Sequence, residues 1–327
     1  MSQGAPIDDH HDLATRVRNG ERRALAMALT LCERPAPAAR ALMAPLLDHL
    51  TGVGVIGVTG PPGSGKSTLV NALARTRRSI APDTRVAILA IDPSSPVSGG
   101  AILGDRVRMT VAGDDTGIYV RSLSASGHLG GMTPAIARMI DVFDAAGYGC
   151  VIIETVGTGQ SEVDIAEVAD VKLVVAAPGL GDDIQAMKSG LLEIADVIAV
   201  NKADRPGAEQ TRQQLAGAMS LRVGAIAPVL CVSAQLDQGI DTLNADLTSA
   251  MDRALRRPVS ERRRDRARYL LHRTSTRLIH DLIRNGAAAN ADSVDADAIA
   301  MDLLNGDCDT VDALRRLLPA NYGRDGR

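Results

Sequence analysis

Aromatic side chains are nearly missing: the 327 residues include one Phe, four Tyr and no Trp. Proteins that hold single-stranded nucleic acid stack bases on exposed rings, so that class is disfavoured at once. Charge is also close to balanced, at −3 formally, which supplies no global field to draw in nucleic acid or an anionic membrane. Cysteine is sparse. Cys32, Cys150, Cys231 and Cys308 are scattered without any Cys-x-x-Cys pairing, and reduced, buried thiols in a cytoplasmic protein are the expectation. No apolar run approaches the ~20 residues needed to cross a bilayer. The polar, acidic stretch Met1–Asp12 resembles neither a secretory signal nor an Arg-rich transit peptide.

Small and branched aliphatic residues fill the space the aromatics leave, with 31 Gly among them. Three regions differ in texture. Residues 12–50 carry apolar positions at helical spacing (Leu13, Val17, Leu25, Leu29, Leu42, Leu46, Leu50), broken by Pro35 and Pro37. From Val53 to about Leu255, short branched runs alternate with helical patterns; the strands are expected at 53–59, 85–91, 118–122, 150–155, 171–177, 197–201 and 228–232. Such alternation predicts an α/β fold, a mostly parallel sheet covered by helices on both faces. Beyond Pro258 the pattern is helical, with an apolar stripe at Leu271, Leu278, Ile279, Leu282 and Ile283. The expected domains are therefore an N-terminal helical extension (1–51), an α/β domain (52–255) and a C-terminal helical region (256–327).

The C-terminal region begins with a dense run of arginines between Arg253 and Arg273 and continues with an acidic stretch from Asp292 to Asp312. The run reads as a solvated helix face, or as a partner for the acidic stretch across a subunit contact, in preference to a nucleic-acid patch.

Gly60-Pro61-Pro62-Gly63-Ser64-Gly65-Lys66-Ser67-Thr68 follows the expected strand 53–59 and opens a helical pattern, the setting of a phosphate-binding P-loop. Backbone N–H groups would turn inward around the phosphates, Lys66 would reach the outer ones, and the Ser67 hydroxyl would reach Mg²⁺. Asn201-Lys202-Ala203-Asp204 closes a later strand. The Asp204 carboxylate can accept both donors on the guanine edge, whereas adenine presents an acceptor there, so a site of this kind can discriminate by roughly 10⁴-fold. Ser233-Ala234 follows the last strand as a second base contact. The expected ligands are GTP and GDP with Mg²⁺.

Three acids fall at strand ends or in the loops beyond them, where open α/β sheets hold ligands: Asp92, Asp105 and Glu154. With Ser67 they form the candidate metal set, although Asp105 also reads as a plain turn acid. Asp92 is a candidate for orienting the attacking water, and the Gly157 N–H for meeting the γ-phosphate and moving after hydrolysis. The segment Gly179–Lys188 follows the strand at 171–177. It reads either as a loop entering a helix capped by Asp182 or Asp183, or as a mobile segment with Asp182, Gln185 and Lys188 as signalling residues.

Together these stretches resemble a known family. Glu154-Thr-Val-Gly157, with Glu in place of the more usual Asp, is similar to the metal- and cobalamin-handling group of P-loop GTPases. Asp92–Arg106, His128-Leu-Gly-Gly131 and Pro178–Lys188 running on to Asp204 resemble the MeaB-type GTPase chaperones of adenosylcobalamin-dependent methylmalonyl-CoA mutase; Ser126, where an Arg is expected, is a local departure. The resemblance implies slow GTP hydrolysis, a complex with the mutase that gates cofactor loading, and a homodimer formed through the C-terminal helices. It also implies Mg²⁺ held around Ser67, Asp92, Asp105 and Glu154, and movable segments near 92–108, 154–158 and 177–188. The rivals are a nickel-delivery GTPase of hydrogenase or urease maturation, a small-molecule kinase linked to amino-acid transport, and a nucleic-acid-bound GTPase. The first should carry Cys/His clusters, yet His10-His11 is the only adjacent His pair.

Overall fold

The computed structural model describes residues 8–33, 36–92, 115–124, 135–155, 165, 167–179, 190–220, 226–285, 299, 301 and 302. Three N-terminal helices, α1 (Asp8–Arg18), α2 (Arg22–Cys32) and α3 (Ala36–Met43), lead through a 3₁₀ turn (Ala44–His49) into the first strand. The strands are β1 (Gly54–Thr59), β2 (Arg85–Asp92), β3 (Ile118–Ser124), β4 (Tyr148–Glu154), β5 (Val171–Ala176), β6 (Val197–Val200) and β7 (Val229–Cys231). The connecting helices are α4 (Lys66–Ile80), α5 (Ala135–Ala145), α6 (Leu191–Ile194), α7 (Ala208–Ser220) and α8 (Ile240–Ala254), and α9 (Val259–Asn285) follows.

All seven strands pair in parallel, in the order β3-β2-β4-β1-β5-β6-β7. The chain adds strands on one side of β1 and then crosses to the other, so β1 lies at the point where strand order reverses. Ligands of open α/β sheets sit at that point, beyond the carboxyl ends of the strands. Central strands are covered on both faces and therefore read as unbroken apolar runs; every residue of β1 is buried. On one face Ile56 and Val58 meet Leu69 and Leu73 of α4 and Leu243 and Leu247 of α8. Further along, Val174, Ile198 and Val200 pack with Leu215 and Met219 of α7. Three of the five aromatics gather in one place: Phe143 lies edge-on to both Tyr119 and Tyr148.

The start of α9 departs from the sequence expectation. Arg262 and Arg266 are not solvated, because both side chains are buried against Asp170, just ahead of β5. The Asp170 carboxylate accepts from Arg262 at 3.0 Å, from Arg266 at 2.8 Å and from the Val55 N–H of β1 at 2.9 Å. Arg262 also donates to the Gly52 carbonyl at 2.9 Å, and Arg266 to the Val168 carbonyl at 2.8 Å. Arg263 pairs with Asp141 of α5 at 2.8 Å. These partners belong to the same chain, and spacing along the sequence gives no hint of acids so distant from the arginines they hold. One compact unit accordingly runs from the N-terminal helices through Ala267, and a second begins at Arg268.

Candidate functional site

The phosphate loop is shaped by contacts beneath it. Gly60 and Gly65 have φ of 145° and 88°, the half of backbone space that side chains avoid. A Cβ at Gly60 would stand 2.1 Å from the Val175 carbonyl oxygen, and one at Gly65 would stand 2.5 Å from the Asn201 amide nitrogen. Loop and neighbours therefore approach as closely as hydrogen atoms allow. Lys66 opens α4 and is buried, its ammonium donating to the carbonyls of Gly60 at 2.7 Å and Pro61 at 3.0 Å. An ammonium held across the loop in this way is positioned to meet a phosphate chain cradled by the loop's N–H groups and the N-terminus of α4.

The residues after β6 and β7 lie against this loop. Asn201 follows β6 and is buried; its amide donates to the Ser64 carbonyl at 2.9 Å while its oxygen accepts from the Ala234 N–H at 3.1 Å. One side chain thus joins the loop after β1 to the loops after β6 and β7. Lys202 adopts a left-handed φ of 59° and donates to the Gly63 carbonyl at 2.5 Å. The Asp204 carboxylate accepts from the Ser233 hydroxyl at 2.5 Å, and this bond pulls it below the usual carboxylate range. The Ser233 backbone is fixed by paired hydrogen bonds with Gln238, both at 3.0 Å.

At the carboxyl end of β4, the buried Glu154 accepts from the Ser67 hydroxyl at 2.5 Å. A carboxylate and a hydroxyl brought together at the head of α4 are hard oxygen donors of the kind Mg²⁺ takes alongside substrate phosphates, and the pair fits that ion. Asp92 is the last residue of β2, the strand paired with β4, so it shares this edge of the sheet. Asp105, Gly157, Asp182, Gln185 and Lys188 lie outside the described residues, as does most of the segments 92–108, 154–158 and 177–188. Among the described residues no group of three or more His, Cys, Asp or Glu forms a metal-binding cluster. Cys32, Cys150 and Cys231 are unpaired thiols, and burial pushes Cys32 up to about 12. No helix among the described residues is long and apolar enough to cross a membrane.

Sequence reasoning passed over two residues here. Thr59 ends β1 and Thr155 follows β4; both are fully buried, with their hydroxyl oxygens 3.2 Å apart. The available signal was a threonine on each strand where the inward alternation otherwise carries valine, isoleucine or glycine.

A parallel sheet with a Gly-x-x-x-x-Gly-Lys-Ser loop after β1, an Asn-Lys-x-Asp after β6 and a serine after β7 holding the Asp204 carboxylate is the arrangement of a P-loop GTPase. The model of the methylmalonyl Co-A mutase-associated GTPase MeaB family matches residues 25–290, and the chain belongs to that family. Among relatives, a protein of Pyrococcus horikoshii named as a GTPase is 44% identical over 216 residues, covering 66% of this chain and 67% of that protein. A fused isobutyryl-CoA mutase of Geobacillus kaustophilus is 37% identical over 212 residues, 62% of this chain but only 19% of that much longer protein. A solved structure described as a LAO/AO transport system kinase superposes with a TM-score of 0.69 at 25% identity, covering 96% of this chain and 98% of that one. The chain is a GTPase.

Proposed function

We propose that the protein is a slow, switch-type GTPase that binds an adenosylcobalamin-dependent methylmalonyl-CoA mutase and uses its nucleotide state to gate cofactor loading and to protect or reactivate the mutase. The observation that carries this reading is the Asn201 side chain, which ties the loops after β6 and β7 to the loop after β1. Family membership supports the partner. So does the mutase of Geobacillus kaustophilus, in which a segment similar to this chain is fused to a mutase.

Each residue of the site then has a task. Asp204, held by Ser233, and Asn201, Lys202 and Ala234 bind guanine, and residues Gly60 to Thr68 cradle the phosphates. Lys66 would stabilise charge on the outer phosphates. Ser67 and Glu154, with Asp92 and Asp105, would hold Mg²⁺, which supplies neutralisation of the β- and γ-phosphate oxygens. Asp92 would orient the attacking water, Gly157 would contact the γ-phosphate, and Asp182, Gln185 and Lys188 would report nucleotide state to the partner. The region 256–327 would form the homodimer.

Turnover of GTP against ATP tests the nucleotide, and equal rates would sink the guanine assignment. Label from γ-phosphate should pass to water; transfer to an organic acceptor would favour a small-molecule kinase instead. Native mass spectrometry with methylmalonyl-CoA mutase tests the partner. A complex whose abundance differs between GDP and a non-hydrolysable GTP analogue is expected, and no complex in either state would remove the chaperone role.

A further inference from the structure

We propose that Thr155, acting through Thr59, is a positioning residue for the Ser67–Glu154 pair: a hydroxyl staple that fixes how far apart the chain leaves β1 and β4. The proposal rests on the metal assignment made above for that pair.

β1 and β4 are neighbours with Val58 opposite Glu154, so Thr59 and Thr155 are the next pair along. Because side chains alternate, Glu154 and Val58 share the face covered by α4, while Thr155 and Thr59 share the opposite one. On that opposite face the preceding residues are Val55 and Gly57 in β1 and Val151 and Ile153 in β4, all buried. Gly57 is packed so closely that a Cβ there would meet Ile165 at 2.7 Å and Ala169 at 2.8 Å. Valine would suit this apolar setting at both positions. Two hydroxyls, each with no solvent exposure, are tolerable because they bond to each other: Thr155 donates to Thr59 at 3.2 Å.

The place of the bond gives it a task. One residue past Thr59 the chain turns at Gly60 into the phosphate loop; one residue before Thr155 stands Glu154, which receives the Ser67 hydroxyl at 2.5 Å. The Thr155 N–H also donates to the Val58 carbonyl at 3.1 Å. Backbone and side chain of one residue thus grip β1 just where the two chains diverge. The backbone bond alone leaves rotation of the strand end about it, and the hydroxyl bond on the face away from Glu154 opposes that rotation. Losing the hydroxyl should let the carboxylate drift from the head of α4 while leaving the base loops and Lys66 in place.

The test compares Thr155→Val, Thr59→Val and Thr155→Ser in the full chain, following release of a fluorescent GDP analogue as Mg²⁺ is titrated. Both valine variants should need about fivefold more Mg²⁺ to retain nucleotide half-maximally, the shift expected for one hydrogen bond of ordinary strength. Nucleotide affinity without Mg²⁺ should be unchanged, and Thr155→Ser should restore the parent behaviour. If either folded valine variant keeps the parent Mg²⁺ midpoint and only its melting temperature falls, the hydroxyls are merely structural and the proposal fails. Weakened binding in the absence of Mg²⁺ would overturn it equally, because the defect would then lie in the phosphate loop. If the parent protein itself retains nucleotide independently of Mg²⁺, the metal assignment falls first and takes this proposal with it.

Discussion

In the proposed site, Asp204 would gain its selectivity from being held as an acceptor. The Ser233 hydroxyl donates to it at 2.5 Å, which both orients the carboxylate and keeps it ionised below the usual carboxylate range. Because a depressed pKa preserves the charged form until the pH falls through that lowered value, GTP preference over ATP should be flat from about pH 8 down to about pH 5. Competition binding across that range checks this, and a loss of preference near pH 5 would mean the carboxylate is less well held than its geometry shows. Asp204→Asn replaces one acceptor oxygen by a donor; GTP preference should drop by about tenfold or more with melting temperature almost unchanged.

At the residue scale the sequence reading was uneven within the same site. Asn201, Lys202, Asp204, Ser233 and the loop from Gly60, singled out by their spacing, do lie together in the fold. Thr155 was read only as a letter inside Glu154–Gly157. Its hydroxyl matters through Thr59, 96 residues away, and neither residue alone signals the other.

At the scale of elements, all seven strands fall within two residues of their expected positions, since buried parallel strands announce themselves as branched runs bounded by polar turns. In and just before the first turns of α9, Arg256, Arg257, Arg264 and Arg268 are exposed as expected, while Arg262 and Arg266 were misread for a physical reason. A run of arginines on an amphipathic helix looks alike whether it faces water or buried acids, and the deciding partner, Asp170, is 92 residues from Arg262 and 96 from Arg266. Asp170 and both arginine side chains are no more than 7% exposed. Asp170→Asn would leave two buried guanidiniums without their counter-charge, at a cost of about 3–5 kcal/mol, to be read from chemical denaturation. The neighbouring pair behaves differently. Burial pushes the Asp141 carboxyl up, and Arg263 opposes this only in part. A raised carboxyl pKa contributes stability below its unfolded value and loses it as pH rises through the folded one. Asp141→Asn should therefore be neutral or slightly stabilising at about pH 7, with the gap from the parent narrowed by about pH 4, because the parent carboxyl takes up its proton above the usual carboxylate range. Melting curves at the two pH values decide it.

For the whole molecule, the relevant feature is that Asn201 ties the loop after β1 to the loops after β6 and β7, so the proposed phosphate and base contacts belong to one connected site. Cross-linking or analytical ultracentrifugation of the full chain should show a dimer that persists with GDP and with a GTP analogue. Only the mutase complex should respond to the difference; a monomer in both states would place the role of residues 256–327 elsewhere. The sequence could not resolve how the C-terminal region divides. The change in composition comes near Pro258, yet the compact units part between Ala267 and Arg268, because burial of Arg262 and Arg266 draws the start of α9 into the company of the sheet.

That arrangement has a bearing on synthesis. The acid that caps the Val55 N–H emerges from the ribosome long before the guanidiniums that neutralise it, since Arg266 is encoded 96 positions later. Until then the nascent sheet holds a carboxylate that must stay wet, keeping the entrance to its central strand open to solvent. Arg262 and Arg266 are the residues that let the central strand β1 dry out, so that step waits until the start of α9 has been made.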